Sequence, residues 1–285
     1  MFTGTEVILW GDRLNDTGGR YLIASNVWIA TSTANAPEPR QEHTAVWTGS
    51  RMIVLGGFFN NGNQHSLSTG GIHDPVADTW FATPMNGAPS VRSGHAAVWT
   101  VSEMLIWGGV QFTGGPYLYF NTGSRYNLAS NRWSQISTSN APSPRLRPFA
   151  AWTGTEMIIW GGQGTNGSDE GGGARYNPAT DTWTPISPFI APSGADVTPV
   201  LNDRNLGAWT GMELAAWPGN GQTGGLYKPA TDSWRAMNSS GPERCPRSLK
   251  VLRVYRVGCG AWDRLPHVET GGGRRMILFP ETRRK

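Results

Sequence analysis

One phrase recurs five times along this chain, at intervals of about 50 residues. It consists of two short apolar segments around a Thr-Gly turn, and a glycine pair usually follows the second segment. The copies read MFTGTEVILWGD from residue 1, VWTGSRMIVLGG from 46, VWTVSEMLIWGG from 98, AWTGTEMIIWGG from 151 and AWTGMELAAWPG from 208. A second marker keeps the same period, namely Trp28, Trp80, Trp133, Trp183 and Trp234. Because a fixed period of this length is typical of repeat proteins, we expect a series of similar folding units.

Each unit is predicted to contain four β-strands and essentially no helix. In the second copy the strands are HTAVW (43–47), RMIVL (51–55), the segment around GGIH (70–73) and WFATP (80–84). The second strand is a continuous apolar run, as expected of a strand covered on both faces. The turns between strands carry Thr-Gly or Asn/Asp-Pro pairs, which favour tight reversals.

A single four-stranded sheet of this kind cannot bury both of its apolar faces. Repetition around an axis solves the problem, because each sheet then packs face to face on the next. The Trp of the second marker and the Tyr or His seven residues before it are expected to fill the gaps between sheets, where aromatic rings bury large areas. The sequence therefore predicts a β-propeller.

The period, the apolar run that ends in Gly-Gly and the Tyr-then-Trp spacing together resemble kelch repeats, over residues 1 to about 240. The resemblance implies an all-β, kelch-type β-propeller of four-stranded antiparallel blades, with five recognisable blades and a degenerate or missing sixth. Asp12, Pro218 and His73 depart from the motif in single blades. We place the propeller at residues 1–244, with blades at about 1–40, 41–92, 93–145, 146–197 and 198–244.

The last segment, residues 245–285, differs from the rest of the chain. It holds 10 Lys and Arg against 3 Asp and Glu, whereas residues 1–244 hold 14 against 17, and it contains both cysteines. Two interpretations stay open: a tail translated out of frame, or a diverged closing blade or basic arm. We expect no secretory signal, no membrane segment and no nucleic-acid partner, and the sequence leaves the localisation open, including a secreted or periplasmic full-length form.

The strand order predicts that function lies on the end of the blades that carries the glycine pairs, here called the upper face. Loops of variable length follow the glycine pairs there, whereas the turns at the lower face keep nearly constant length, and variable loops on a rigid scaffold commonly bind ligands. The candidate binding residues on these loops are Phe58, Phe59, Asn61, Phe112, Tyr117, Tyr119, Asp169 and Glu170. Aromatic planes beside amides and carboxylates would suit a glycan, and the alternative is that the rings only anchor long loops.

A second candidate set is Arg40, Arg92 and Arg145, which end the recurring segments APEPR, APSVR and APSPR. Three guanidinium groups around a channel mouth could bind an anion through paired hydrogen bonds. The alternative is a scaffold role, in which each Arg pairs with groups of a neighbouring segment.

The sequence contains few candidates for catalytic residues. The five histidines show no spacing typical of zinc ligands, and no phosphate-binding loop, dinucleotide motif or nucleophile elbow is present. We therefore predict no catalytic residue, no metal and no cofactor. The kelch resemblance also implies copper oxidases with a Tyr–Cys crosslink and sialic-acid epimerases among its enzymes; the absence of Cys from residues 1–244 argues against the first.

These features favour a non-enzymatic binding module whose ligand is a glycan or a protein on the upper face. The alternatives are a carbohydrate-active enzyme of the sialic-acid epimerase type and a truncated or frameshifted chain without intact function. A carboxylate close to a His or Arg in a central pocket would favour the enzyme.

Overall fold

The computed structural model describes residues 1–12, 14–60, 64–112, 114–168, 170–188, 206–217, 224–237, 267–270 and 274–277. Within these ranges the repeat forms one three-stranded and four four-stranded sheets, all antiparallel. The predicted all-β architecture is confirmed. Among the described residues the one helical element is a 3₁₀ turn, Pro229–Thr231.

The first three sheets run from the innermost to the outermost strand in chain order. The first comprises β1 (Glu6–Trp10), β2 (Gly18–Leu22) and β3 (Val27–Ala30). The second comprises β4 (Thr44–Trp47), β5 (Met52–Leu55), β8 (Gly70–Asp74) and β9 (Thr79–Ala82), with a small hairpin of β6 (Phe58–Asn60) and β7 (Gln64–Ser66) between β5 and β8. The third comprises β10 (Ala96–Trp99), β11 (Glu103–Trp107), β14 (Gly123–Asn127) and β15 (Arg132–Ile136), with a hairpin of β12 (Val110–Gln111) and β13 (Leu118–Tyr119).

The remaining sheets follow the same order. The fourth comprises β17 (Phe149–Trp152), β18 (Met157–Trp160), β20 (Gly173–Asn177) and β21 (Thr182–Pro185), with β16 (Arg145–Leu146) paired to β19 (Gln163–Gly164). The fifth comprises β22 (Leu206–Trp209), β23 (Leu214–Trp217), β24 (Gly225–Lys228) and β25 (Ser233–Ala236). A separate hairpin of β26 (His267–Thr270) and β27 (Arg274–Ile277) lies in the last segment.

The second strand of each unit is the most buried, as its apolar run predicts. All four residues of Met52–Leu55 are buried, because both faces of this strand are covered. Ile53 and Leu55 pack with Met104 and Ile106 of the next sheet, and similar cores lie between the other neighbouring sheets. The innermost strands β4, β10, β17 and β22 also contact one another in that order. The sheets are therefore arranged as propeller blades around a central channel.

From the second blade on, the recurring Trp of the outermost strand joins its blade to the blade before it. The Trp80 indole nitrogen donates to the Ser32 carbonyl at 3.0 Å, and its ring stacks on His73 at 4.7 Å. The same indole-to-carbonyl bond links Trp133 to Pro84 at 2.9 Å and Trp183 to Ser137 at 2.8 Å. This contact explains why the sequence repeats a Trp at this position from the second unit to the fifth, where Trp234 donates to the Ser187 carbonyl at 2.8 Å.

The glycine pair is required where the next blade enters. Gly57 has φ of +105°, and a Cβ there would lie 2.8 Å from the Gln41 carbonyl oxygen. Its amide donates to the Arg92 carbonyl at 2.8 Å, so the entering backbone passes closely over the pair. Any side chain at this position would meet both an unfavourable φ and a backbone atom.

The small hairpins on the upper face were not predicted from the sequence. They form because the segment entering each blade pairs with the residues that follow the glycine pair. Phe58 exchanges two backbone hydrogen bonds with Gln41 at 2.8 and 3.0 Å, and Val110 does the same with Ser93 at 3.0 and 2.8 Å. These pairings turn part of the variable loops into ordered β-structure.

Candidate functional site

The upper face of the second and third blades carries a cluster of aromatic side chains. We call Phe58, Phe112, Tyr117 and Leu118 the upper aromatic patch. The ring of Phe112 lies 6.0 Å from that of Phe58, edge to face, and 5.7 Å from that of Tyr117. The Phe112 amide donates to the Ser66 hydroxyl at 3.0 Å, which ties the two hairpins together. The patch therefore spans two blades.

The patch offers apolar surface to solvent at its outer end. Tyr117 is 53% exposed and Leu118 is 52% exposed. Leu118 lies in β13, and Tyr117 directly precedes this strand. Phe58 and Phe112 are half-buried beneath them. Exposed aromatic and aliphatic side chains on a rigid support are common anchors of protein interfaces.

The other aromatic candidates are held more firmly by the loops. Phe59 packs edge to face on His65 at 5.6 Å within the hairpin. Tyr119 is paired in the β12–β13 ladder opposite Val110 and is half-buried. The neighbouring Phe120 covers the Arg92 guanidinium at 4.6 Å, so this ring anchors its loop.

The recurring arginines occupy buried positions at the upper ends of their blades. Arg40, Arg92 and Arg145 are 0%, 2% and 3% exposed. Arg92 donates from Nη1 to the carbonyls of Gly108 and Thr122, each at 2.9 Å, and from Nε to the Ser90 carbonyl at 3.1 Å. Arg40 and Arg145 repeat this pattern on their own glycine loops.

This environment favours the scaffold interpretation of the three arginines over the anion-binding one. Their donors are committed to backbone carbonyls of the glycine loops, and buried carbonyls of this kind require hydrogen-bond donors. Burial lowers the pKa of Arg40 and of Arg92 to about 10, so both remain charged at neutral pH. The three guanidinium groups clamp individual blades and do not converge on a ligand.

Two of the polar candidates, Asn61 and Asp169, lie outside the described residues. Glu170 is half-buried, and its carboxylate lies 3.8 Å from Nη2 of Arg145. Its amide donates to the Gly162 carbonyl at 2.7 Å, which fixes the loop against the glycine pair. Glu170 therefore stands at the upper face beside a clamp arginine.

Sequence reasoning missed a clasp at the upper mouth of the channel, made of Glu42, Gly94 and Arg147. Gly94 donates to the Glu42 carbonyl at 2.9 Å, and Arg147 donates to the Gly94 carbonyl at 2.7 Å. Above this backbone chain the Arg147 guanidinium pairs with the Glu42 carboxylate, with Nε at 3.0 Å from Oε2. The pair connects the second blade to the fourth across the third.

The clasp depends on a glycine in its middle member. A Cβ on Gly94 would lie 3.1 Å from Oε2 of Glu42 and 3.2 Å from Cγ of Arg147. The three residues hold the same place in the repeat, five positions before the Trp of the innermost strand, and all have positive φ. The sequence did contain a signal for this clasp: one repeat position is occupied by an acidic residue, a glycine and a basic residue in successive blades.

Below the clasp the channel is apolar. Its cavity of about 280 Å³ is lined by the innermost strands of four blades and by Met1, with Trp47, Trp99, Trp152 and Trp209 at the lower ends of those strands. None of the described lining residues carries a charged side chain. The carboxylate–arginine pair of Glu42 and Arg147 is not among the residues that line this cavity.

Two histidines of the repeat lie beneath the entering segments. Burial, together with the nearby Arg40 charge, lowers the pKa of His43 to about 4, so this imidazole is neutral at pH 7. His95, in the equivalent position, shares a hydrogen bond of 2.7 Å with the Thr44 hydroxyl. Among the described residues, no group of three or more His, Cys, Asp or Glu side chains could hold a metal ion.

Within the described ranges, no helix is long and apolar enough to cross a membrane.

The chain matches known kelch proteins by sequence and by structure. It is 26% identical over 144 residues to Kelch domain-containing protein 3 of Homo sapiens, which covers 47% of this chain and 37% of that protein. It is 24% identical over 176 residues to Tip elongation aberrant protein 1 of Schizosaccharomyces pombe, which covers 56% of this chain and 15% of that protein. The chain thus spans little more than a third of the human relative, and less of the yeast one.

Among solved structures, that of YjhT superposes with a TM-score of 0.55 and 14% identity, over 66% of this chain and 64% of that chain. At this identity the likeness concerns the fold alone. The model of the KLHDC2/KLHL20/DRC7 Kelch-repeats domain matches residues 3–197 and 72–257, which together span most of the sequence. The chain is a β-propeller of interaction-module type and belongs to the kelch-repeat family.

Proposed function

We propose that this propeller binds a protein ligand through the upper aromatic patch. The observation that carries the proposal is that exposed side chains stand on an anchored ring: Tyr117 and Leu118 are half exposed, while Phe112, which contacts Tyr117, is tied to the neighbouring hairpin through Ser66. A rigid apolar surface loses little conformational entropy on binding, which favours affinity.

The chemistry of the patch suits an apolar anchor side chain of a protein. Three aromatic rings and one leucine form it, while the charged side chains of the clasp lie towards the channel. Gln41 connects the two features, because its backbone pairs with Phe58 and Glu42 follows it in the chain. A bound loop or peptide segment could thus place an apolar residue on the patch and polar groups over the clasp.

A peptide selection on the intact protein tests the proposal. A phage-displayed random peptide library is panned against the wild-type chain, and enriched peptides are measured by fluorescence polarisation. Tyr117→Ala and Leu118→Ala are each expected to weaken binding about tenfold, since removal of a central anchor at an interface costs about 1–2 kcal/mol.

The matched control is Phe81→Ala, which removes a ring that is 53% exposed on the outermost strand of the second blade. This variant is expected to bind as the wild type does. A glycan array probed in parallel tests the other ligand class. Binding of glycans on the array, with no peptide enriched from the library, would contradict the proposal of a protein ligand. Unchanged peptide binding by Tyr117→Ala and Leu118→Ala would contradict the proposal that the upper aromatic patch is the binding site.

A further inference from the structure

The channel between the innermost strands offers an internal cavity, separate from the upper aromatic patch. The cavity has a volume of about 280 Å³, and the innermost strands of the second to fifth blades bound it together with Met1. An apolar cavity of about 150 Å³ is already large enough to hold benzene. The channel therefore has room for a small molecule of about two to three aromatic rings.

The wall of this cavity is apolar and uncharged. Val46, Ala97, Val98 and Ala151 form much of it and are buried, and Phe149 adds an aromatic ring. Among the described lining residues, the indole nitrogens of the tryptophans are the only polar side-chain atoms. A charged ligand would lose its hydration here without gaining an opposite charge, at a high cost in free energy. The wall therefore favours a neutral ligand.

Four tryptophans form the lower end of the cavity. They are half-buried, and each belongs to the innermost strand of its blade: Trp47, Trp99, Trp152 and Trp209. Each ring also packs against one of the apolar cores between neighbouring blades, which holds it in place. Aromatic rings that are already held by packing can contact a flat apolar molecule with little loss of conformational entropy.

The lower end of the cavity adjoins a polar groove between the third and fourth blades. Trp152 lines both the cavity and this groove. The hydroxyl and amide groups of the groove come from Thr100, Ser102, Thr155 and Asn177. The Glu103 carboxylate also lies in the groove, but it is paired with the Arg125 guanidinium at 3.3 Å. The groove thus provides a route to the channel and hydrogen-bonding groups for a neutral polar end of a ligand.

We propose that the channel binds a neutral, largely apolar small molecule of about two to three aromatic rings, which enters at the lower end. Ligand sites in proteins are commonly concave, apolar and aromatic, with a few polar groups that fix orientation. Here the buried alanines and valines supply the apolar wall, the four indoles supply the aromatic surface, and the groove supplies the polar groups. The site is distinct from the upper aromatic patch, so it does not depend on the protein ligand proposed there.

Two fluorescent probes that share one ring system test the proposal. N-phenyl-1-naphthylamine is neutral, whereas 1-anilinonaphthalene-8-sulfonate carries an additional sulfonate. Each probe is titrated into the full-length chain, and energy transfer from tryptophan to the probe reports binding. The neutral probe is expected to bind saturably, at about one molecule per chain, and the sulfonate is expected to bind at least about tenfold more weakly.

Substitutions at one lining residue locate the probe. Ala208 is half-buried and lines the cavity, so Ala208→Leu is expected to weaken binding of the neutral probe about tenfold by filling the space. Ala208→Val is the graded variant, expected to have a smaller effect, because valine already occupies this repeat position at Val46 and Val98. The matched control is Ala82→Leu, the same change at an exposed alanine of the outermost strand of the second blade, and it is expected to bind as the wild type does. Circular dichroism and the urea midpoint establish that each variant is folded.

Three results would each overturn the proposal. The first is the absence of saturable binding of the neutral probe to the wild-type chain, because the channel would then be closed or filled. The second is equal affinity for the two probes, which would contradict an uncharged site. The third is unchanged affinity in both Ala208 variants, which would place the probe outside the channel. None of these results bears on peptide binding at the upper aromatic patch, so the two proposals fail independently.

Discussion

The lower and upper ends of the blades follow different rules. At the lower end the same turn recurs around a threonine, in Thr48, Thr100, Thr153 and Thr210. The backbone amide of each threonine donates to the carbonyl of the residue three positions later at 2.9–3.0 Å. The threonine hydroxyl accepts a hydrogen bond from the amide of that later residue at 2.9–3.0 Å. At the upper end the hairpins differ in length and side chains from blade to blade. Contacts that repeat in every blade build the scaffold. Contacts that occur in one blade only lie on the surface where the side chains and loop lengths differ between blades.

The upper end itself contains both kinds of contact. The arginine clamps recur with nearly the same distances in three blades, whereas the clasp of Glu42, Gly94 and Arg147 and the upper aromatic patch occur once. Position on the upper face is therefore not enough to identify a binding residue. The comparison predicts that recurring contacts govern stability and that single contacts govern recognition.

The largest expected effect concerns a recurring contact on the upper end, Arg92. Arg92→Met is expected to lower the free energy of unfolding by about 4 kcal/mol, because it leaves the buried Gly108 carbonyl without a donor and removes the charged donor of the Thr122 carbonyl, which keeps only the Gly108 amide. An unsatisfied buried group costs about 1–3 kcal/mol, and a lost hydrogen bond to a charged group costs about 1.5–3 kcal/mol. The urea midpoint of the full-length chain measures this change.

Arg132→Met is the matched control, since it alters an exposed arginine of the third blade, whose Gly108 and Thr122 carbonyls Arg92 binds. Its free energy of unfolding is expected to stay within about 0.5 kcal/mol of the wild type, as for most surface substitutions. Equal losses in the two variants would break the distinction between clamp and surface arginines.

The scaffold was largely predictable from the sequence because its contacts repeat. Trp80 and Trp133 occupy one repeat position, and each makes the same bond to the preceding blade, so their period alone indicated packed blades. The glycine pair gave a similar signal, since its positive φ and its close approach to the entering strand hold in successive blades. The recurrence of the three arginines was also the basis of their scaffold interpretation.

The site was less predictable for the same reason. Glu42 and Arg147 are 105 residues apart and share no chemistry, so only the ring brings them together over Gly94. The aromatic loops were named as candidates, but the sequence did not show that Phe112 is tied to Ser66 or that Phe120 covers Arg92. Which aromatic rings of the upper hairpins are exposed and which are covered depends on tertiary contacts between blades.

The next prediction concerns the pH dependence of the free energy of unfolding, which the buried His43 at the upper end is expected to cause. Burial lowers the pKa of His43 from 6.5 to about 4 in the folded chain, so the unfolded chain binds the proton more readily between these values. The neutral ring therefore stabilises the fold fully above pH 6.5, and this contribution is lost as the pH falls towards 4. The expected loss is about 3 kcal/mol, from about 1.4 kcal/mol for each pKa unit.

His43→Gln isolates this contribution, because glutamine does not titrate. Between pH 7 and pH 5 the urea midpoint of the wild type is expected to fall more steeply than that of the variant. His65→Gln, on the exposed hairpin of the second blade, is expected to follow the wild-type curve. Parallel curves for wild type and His43→Gln would show that the buried ring has no part in acid destabilisation.

The smallest effect tests the lower end, where one blade departs from the shared turn. Four blades place glycine after the turn threonine, with φ between +97° and +106°, but the third blade places Val101 there at φ +113°. A β-branched residue is strained in this conformation, and Val101 is 84% exposed, so packing contacts do little to offset the strain.

Val101→Gly is expected to raise the free energy of unfolding by about 1 kcal/mol, because the relieved strain exceeds the added entropy of glycine in the unfolded chain. Gly154→Val, the reverse change in the fourth blade, is expected to lower it by about the same amount, and since no atom lies within 4 Å of the Cβ it would add, backbone strain is the cause. Urea midpoints that move in the same direction for both variants would show that the lower turns are not equivalent, and that their apparent repetition does not extend to their energetics.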